Sequence, residues 1–407
     1  MVMKGTTALI MMTKDSGEIS PDTVVAGIPL LRRIVMAASR AGCHEILVVD
    51  TGWPGLMKLL AGTRAVLLPP DKLTDYPHSS RILVLAGNLL PRPSLLTYLT
   101  EMPLRAETMH VPVSGIAAVE TADPKAILSM IGRTDDDLSV FSGLERTYQR
   151  AGALIDARPG LRSGSAGWVR VSNRADLRNA ERWLLRGLVK DTEGFMSRHF
   201  ERKISLAVTR YLVRTDITPN QMTAVSVVIG LLGALFFLSS MPGYQLTGAL
   251  LFLLHSILDG CDGEIARLKY LESRLGGILD FWGDNVVHSA VFACIGLGWQ
   301  MAIKTPVPLV LAVSAVIGTL LSAGFVYRQT MRHKASGGPL FTSITNSEAP
   351  SRLTTLADSL AKRDFIYLVV ILAALGKAHW FLVLAAIGAP LFFFILLWTS
   401  RMERVKA

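Results

Sequence analysis

Ile217-Thr-Pro-Asn-Gln-Met-Thr-Ala-Val-Ser-Val-Val-Ile-Gly-Leu-Leu-Gly-Ala-Leu-Phe-Phe-Leu-Ser-Ser-Met-Pro-Gly-Tyr-Gln-Leu-Thr-Gly-Ala-Leu-Leu-Phe-Leu-Leu-His-Ser-Ile-Leu258 runs for 42 positions without an Asp, Glu, Lys or Arg. A helix that crosses the hydrocarbon core of a bilayer needs about 20 apolar residues, so the run has room for two. Ser239-Ser-Met-Pro-Gly243 lies near its middle and predicts where one helix stops and the next returns. Further uncharged runs over Asn285–Ile303, Thr305–Tyr327, Phe365–Gly376 and Ala378–Ser400 raise the expected number of spans to six. The fifth has only 12 uncharged residues, which leaves Lys362, Arg363 and Asp364 at the membrane boundary or in a protein-lined cavity.

Composition agrees with that reading. The 407 residues include 50% hydrophobic and 18% charged residues, with 42 Lys+Arg against 32 Asp+Glu and a net charge of +10. Soluble domains carry roughly 25% charged residues, so the chain is neither a disordered polymer nor a purely nucleic-acid-binding protein, and no nucleic-acid partner is expected. Cys43, Cys261 and Cys294 form no C-x-x-C pair, which leaves neither a disulfide framework nor a zinc site; they read as packing residues in reducing surroundings. The cations explain themselves by position. Arg267, Lys269, Arg274, Arg328, Arg332, Lys334, Arg352, Lys362, Arg363, Arg401, Arg404 and Lys406 flank one side of the expected spans, against Lys304 and Lys377 on the other. Short cytoplasmic loops are enriched in Lys and Arg, so a multi-pass protein of the cell membrane with both termini cytoplasmic is expected. No leader-like segment precedes the first strand-like run, which keeps the N-terminal region on the same side.

Residues 1–175 read as a separate α/β domain. Strand-like runs at Thr7–Thr13, Glu45–Val49, Ala65–Leu68 and Arg81–Ala86 alternate with helical stretches at Pro29–Ala41 and Pro54–Ala61, the pattern of a parallel sheet wrapped by helices. Val25-Ala-Gly-Ile-Pro-Leu-Leu-Arg-Arg-Ile34 followed by Arg40-Ala-Gly-Cys-His-Glu-Ile-Leu-Val-Val49 resembles the early part of sugar and polyol nucleotidyltransferases. Two parts of that family's chemistry are absent. Thr13-Lys-Asp-Ser-Gly-Glu-Ile-Ser20 replaces the Gly-rich phosphate loop, and Val84-Leu-Ala-Gly-Asn-Leu89 has neutral Asn88 where the family has a metal-binding Asp. An amide is a much poorer ligand for a hard cation. The domain is therefore expected to be a catalytic relic that binds a nucleotide or a partner. Gly160-Leu-Arg-Ser-Gly-Ser-Ala-Gly167 follows no clear strand and reads as a flexible loop.

Residues 176–216 read as an amphipathic juxtamembrane segment. Leu177, Trp183, Leu184, Leu188, Phe195, Phe200, Ile204 and Leu212 recur at helical spacing, and Arg182, Arg186, Lys190, Arg198, Arg202, Lys203, Arg210 and Arg214 suit an anionic membrane surface. A solvated linker helix is the simpler alternative. Residues 217–407 then form the all-α membrane domain.

The chemistry is concentrated after the opening run, in Asp259-Gly-Cys-Asp262-Gly263-Glu-Ile-Ala266-Arg267, eight residues, Gly276, three residues, Asp280, three residues, Asp284. On helices Asp259 shares a face with Asp262, and Asp280 with Asp284. Four carboxylates at the ends of apolar helices repel unless cations neutralise them. Oxygen-only ligands point to Mg²⁺ or Mn²⁺, and four of them can hold two ions about 4 Å apart. Gly263 and Ala266 leave space beside the backbone, and Arg267 places a fixed cation where a phosphate would sit. Structural ion pairing of Asp259 or Asp284 with Arg267 or Arg274 is the competing explanation. Arg328, Arg332 and Lys334 are candidates for an acceptor phosphate, and equally for a topology signal. His255 and His288 face the same region by helical spacing and are otherwise packing residues.

This arrangement resembles the CDP-alcohol phosphatidyltransferase signature, D-x-x-D-G-x-x-A-R, eight residues, G-x-x-x-D-x-x-x-D, with every fixed position met. The resemblance covers about residues 217–400, including Thr218-Pro-Asn-Gln-Met-Thr223. It implies a magnesium-dependent exchange in which a hydroxyl attacks the β-phosphorus of a CDP-linked alcohol and CMP leaves. It further implies Asp259, Asp262, Asp280 and Asp284 as metal ligands and Asp284 also as general base. Asn220, Thr223, Gly263, Ala266, Arg267, Ser273 and Gly276 match positions that touch the CDP-alcohol, although Gly263 alone also fits helix packing and Asn220 with Thr223 a helix cap. Homodimerisation is a further implication. The domain order, with Lys190-Asp-Thr-Glu-Gly-Phe-Met-Ser-Arg-His-Phe-Glu-Arg-Lys-Ile-Ser205 between the two parts, is similar to fused prokaryotic enzymes that make a cytidylyl inositol-phosphate donor and join it to inositol phosphate. With Asn88 in place, the expected donor is CDP-diacylglycerol or a CDP-polyol made elsewhere, and the acceptor inositol phosphate or glycerol phosphate. Two alternatives from other classes are a carboxylate-lined divalent cation transporter and a non-catalytic membrane scaffold.

Overall fold

The computed structural model describes residues 3–12, 19–50, 52–76, 79–104, 108–113, 115–125, 128, 167–189, 200–333 and 365–406. They fall into two compact units, Met1–Arg186 and Gly187–Ala407.

The first unit runs β1 (Met3–Met11), β2 (Val24–Val25), β3 (Ile28–Pro29), α1 (Leu30–Arg40), β4 (Glu45–Val49), α2 (Leu56–Leu60), β5 (Ala65–Leu68), β6 (Ser79–Ala86), β7 (Leu89–Pro91), α3 (Pro93–Glu101), β8 (Thr108–Val113), β9 (Ile116–Glu120), β10 (Trp168–Arg170) and α4 (Arg174–Arg186). Six strands make one sheet in the order β5-β4-β1-β6-β9-β8. β5, β4, β1 and β6 are parallel, with Leu9 opposite Leu47 on one side and Val84 on the other. Ala8, Leu9, Ile10, Leu47, Val48, Leu83, Val84 and Leu85 are all buried, as near-continuous apolar strands covered on both faces must be. β9 and β8 close one edge as an antiparallel pair, which strand-helix alternation did not predict. Its signal is the short connection containing Gly115, whose φ of +105° is readily available only to glycine. Arg33 is buried in the core, where its guanidinium donates to Val25 O and Ala26 O. Burial pushes the Cys43 thiol up to about 12, which removes it as a nucleophile. The Arg92 guanidinium, between β7 and α3, sits 4.5 Å over the ring of Trp183 on α4. The stretch 176–216 is thus shared between the two units; Lys190, Phe195 and Arg198 within it lie outside the described residues, as do residues 13–18 and 151–166.

The second unit is helical: α5 (Arg202–Leu212), α6 (Pro219–Phe236), α7 (Pro242–Lys269), α8 (Arg274–Ile303), α9 (Val307–His333), α10 (Phe365–Ala374) and α11 (Ala378–Lys406). The expected turn inside the apolar run is present, because α6 ends at Phe236 and α7 starts at Pro242. Thr218 caps α6 in a reciprocal capping box with Gln221, and Pro219 occupies its first turn. α6 and α7 meet almost backbone to backbone. A Cβ on Gly248 would lie 2.7 Å from Gly233 O, and one on Gly233 would lie 3.0 Å from Gly248 O, the close approach that small residues permit between membrane helices. Phe237, Phe252, Val287, Phe292, Ile295, Ala315, Val369, Phe381 and Leu382 form the shared core of α7 to α11 and the end of α6. Outward faces are apolar too: Val228 and Leu235, Val310 and Val313, Ile387 and Trp398 are exposed. Helices apolar all round belong in lipid.

Among the described residues, four helices are long and apolar enough to cross a membrane: Pro219–Phe236, Arg274–Ile303, Val307–Thr330 and Ala378–Arg401. The two remaining candidates fall short of that measure for different reasons. α7 has 28 residues, but Asp259, Asp262, Glu264, Arg267 and Lys269 fill its last turns. α10 has 10 residues, a rise of about 15 Å against a hydrocarbon core of about 30 Å.

Gly248→Val is expected to force α6 from α7 and lower stability by about 1–3 kcal/mol. Gly243→Ala, where a Cβ meets nothing within 4 Å, should leave the melting temperature of the detergent-solubilised protein unchanged. Equal melting temperatures for the two variants would contradict this packing.

Candidate active site

The site is made by how α7 ends and α8 begins. Tyr270 takes a left-handed conformation at φ 55°, and Leu271 N donates to Ala266 O at 2.9 Å, which closes the last turn of α7. Lys269 Nζ donates to Thr215 O at 2.6 Å and ties that end to the chain after α5. Ser273 then caps α8 by accepting from Gly276 N at 3.0 Å. Only Tyr270–Ser273 separate the two helices, so α8 folds straight back and brings Asp280 opposite Asp259 and Asp262. One carboxylate oxygen from each of the three lies within 4.8 Å of the others. Asp259 and Asp262 are 3% and 5% exposed. Asp262 is oriented on both sides: Thr223 Oγ1 donates to its Oδ2, and Gly263 N to its Oδ1. The donor set is all hard oxygen and carries excess negative charge in a poorly solvated place, which fits Mg²⁺ or Mn²⁺.

Asp284, one turn beyond Asp280, makes a different contact. Its Oδ1 lies 3.4 Å from His255 Nε2. His255 is buried, its Nδ1 is 2.9 Å from Ser226 O, and its ring stacks on Phe252. His288 instead packs edge-on against Phe252 and Phe365. The four Asp are therefore brought to one region with distinct neighbours, three facing each other and Asp284 facing an imidazole.

Around this cluster, Gly263 and Arg267 act together: a Cβ on Gly263 would lie 3.3 Å from Arg267 Nη1, so the guanidinium lies over the glycine. Ala266 is buried behind them. Gly276, Asn220 and Ser273 also share one spot, since a Cβ on Gly276 would meet Asn220 Oδ1 and Ser273 Oγ, each at 3.0 Å. Asn220 and Thr223 do not form the α6 cap, which is Thr218 with Gln221; Thr223 turns to Asp262 instead. Arg328 is exposed on α9. Arg332 lies in the last turn of that helix with its side chain outside the described residues, and Lys334 is wholly outside them.

One residue inside the motif escaped the sequence reading. Glu264 is fully buried and accepts from Arg202 Nη1 (2.6 Å), Ser205 Oγ (2.7 Å) and Thr209 Oγ1 (2.6 Å), all on α5. The available signal was a carboxylate flanked by Ile265 and Ala266, together with polar residues at 202, 205 and 209 on one helical stripe.

Comparison with known proteins bears on the same region. A bifunctional IPC transferase and DIPP synthase from Thermococcus kodakarensis is 36% identical over 179 residues, 44% of this chain and 38% of that protein. One from Rubrobacter xylanophilus is 28% identical over 367 residues, 76% of this chain and 78% of that protein. The chain spans only 38%, 26% and 29% of the length of the bifunctional synthases of Thermococcus kodakarensis, Archaeoglobus fulgidus and Aquifex aeolicus. A crystal structure of Mycobacterium tuberculosis phosphatidylinositol phosphate synthase with CDP-DAG bound is 21% identical with a TM-score of 0.34, covering 48% of this chain and 94% of its own. Residues 216–347, which hold all four aspartates and the glycine and arginine positions around them, match the CDP-alcohol phosphatidyltransferase family.

Proposed function

We propose that the protein transfers a substituted phosphate group from a CDP-linked alcohol to the hydroxyl of a second alcohol, releasing CMP, in the synthesis of a membrane lipid. The observation that carries this reading is the convergence of Asp259, Asp262 and Asp280 from two helices onto one small volume beside Arg267. Asp259, Asp262, Asp280 and Asp284 would hold divalent ions, Mg²⁺ or Mn²⁺, two in number. Bound there, the ions would supply the charge neutralisation that a diphosphate and a departing CMP require.

The chain's own residues do the remaining work. Gly263 and Ala266 keep the wall of the site low, Arg267 meets phosphate, and Asn220, Thr223, Ser273 and Gly276 line the side on which the CDP-alcohol would lie. Thr223 holds the Asp262 carboxylate in one rotation. Asp284 accepts the proton of the incoming hydroxyl as the new oxygen–phosphorus bond forms and the bond to CMP breaks, with His255 fixing its orientation. Arg328, Arg332 and Lys334 are assigned to a phosphate on the acceptor. Inositol phosphate and glycerol phosphate are the acceptors to try first, because relatives include phosphatidylinositol phosphate synthases. CDP-diacylglycerol and a CDP-polyol are the two donor classes.

In this reading α7 and α10 complete a six-span bundle, and both termini face the cytoplasm. The N-terminal unit serves as a nucleotidyltransferase-like relic: Asn88 follows the central strand β6, and its buried side-chain oxygen has no hydrogen-bond partner among the described residues. A homodimer is the proposed assembly. The carboxylates cluster at one end of their helices instead of through the bundle's thickness, which favours an enzyme over a transport path.

Purified protein given CDP-diacylglycerol or a CDP-polyol, with a panel of polyol phosphates, is expected to release CMP only when Mg²⁺ or Mn²⁺ is present, and chelation should abolish release. No release with any donor would refute the reading. Asp284→Asn should lower turnover by about 10²–10⁴-fold, and full turnover in that variant would remove Asp284 as the base.

A further inference from the structure

We propose that Glu264 is a positioning residue that locks α5 against the back of α7 and thereby sets the spacing of the carboxylates that take the divalent cation; this rests on the cation site proposed above. At about 100° per residue, Glu264 is turned about 140° from Asp259 and about 160° from Asp262 around the α7 axis, so it faces away from them. Both its oxygens are occupied from that far side. Oε1 accepts from Arg202 and Ser205, and Oε2 from Thr209. Positions 202, 205 and 209 form one stripe of α5. Glu264 and Thr209 are 0% exposed and Ser205 is 2% exposed.

A buried carboxylate is tolerated only when its charge and lone pairs are answered, and removal of one partner leaves the rest uncompensated. Here the answer is one guanidinium and two hydroxyls supplied by a single short helix. That makes the seat of α5 depend on Glu264, and the orientation of the α7 turn depend on α5. Apolar contacts extend the seat along α7: Cys261 and Ile265 are buried, with Val208 and Leu212 of α5 packed against their cluster. Gly260 completes it, because a Cβ there would lie 3.2 Å from Arg202 Nη1. The two glycines that follow the two α7 aspartates thus each admit a guanidinium, Gly263 that of Arg267 and Gly260 that of Arg202. Arg202 is therefore spent inside the protein and is not one of the cations offered to a membrane surface.

Second partners of metal-binding side chains tune affinity through orientation without touching the ion. Mn²⁺ binding to the full-length protein in detergent, read from the loss of the free Mn²⁺ electron paramagnetic resonance signal, tests this without any turnover. Thr209→Val preserves volume and removes one hydrogen bond, while Thr209→Ser keeps the hydroxyl. Thr209→Val and Glu264→Gln are expected to weaken Mn²⁺ binding by about 10-fold per folded molecule, and Thr209→Ser to bind as the wild type does. Wild-type affinity in both weakened candidates overturns the positioning role and leaves the cation site standing. A smaller folded fraction with unchanged affinity per folded molecule also overturns it. No Mn²⁺ binding by the wild-type protein overturns the site and the inference together.

Discussion

Mutual repulsion among carboxylates held in poorly solvated surroundings is the constraint around which the helical unit is arranged. Asp259 and Asp262 are almost fully buried and Asp280 is brought against them. Such a cluster is costly in an apolar helical bundle unless a cation shares it. The surrounding features hold it together despite that cost. The Tyr270 turn and the Ser273 cap bring α8 back onto α7. Gly233 and Gly248 clamp α6 to α7, and α6 in turn delivers Thr223 to Asp262. Behind the cluster, Glu264 fastens α5. Few of these contacts would be needed to pack apolar helices alone.

Much of this was legible in the sequence, and the parts that were not share a cause. Charge-free length located the helices, since lipid admits little else, and the turn between Phe236 and Pro242 fell at the turn-forming residues. The spacing of Asp259, Asp262, Asp280 and Asp284 marked carboxylates that the structure brings together, because helical periodicity determines which side chains share a face. Strands β4 and β5 match their sequence-based bounds, and β6 extends its own by two residues. Periodicity says nothing about which partner a side chain finds across a gap in sequence. The Glu264 contacts to α5 join residues 55 to 62 positions apart, and His255 to Asp284 joins two helices. The hydroxyls of Ser273 and Thr223 make a local cap and a carboxylate contact, and spacing did not foretell the second. The β8–β9 edge was missed because the stretch contains Pro112, a poor strand former.

The two units divide chemical labour unevenly. The first has a parallel core with a satisfied buried arginine and a thiol held protonated by burial. In the second, Asp259, Asp262 and Glu264 are buried in the last turns of α7, and half-buried Asp280 and Asp284 follow in the first turns of α8. Charge in the membrane region is thus spent where a phosphate and a cation can answer it, which is the pattern expected when a charged intermediate must be handled at the edge of an apolar phase.

Anomalous scattering from crystals of the full chain grown with Mn²⁺ tests the central claim most directly. The account predicts an anomalous peak at coordination distance from Asp259, Asp262 and Asp280 together, bridging α7 and α8. A structure in which Mn²⁺ leaves those carboxylates untouched, or sits on one helix alone, would contradict it.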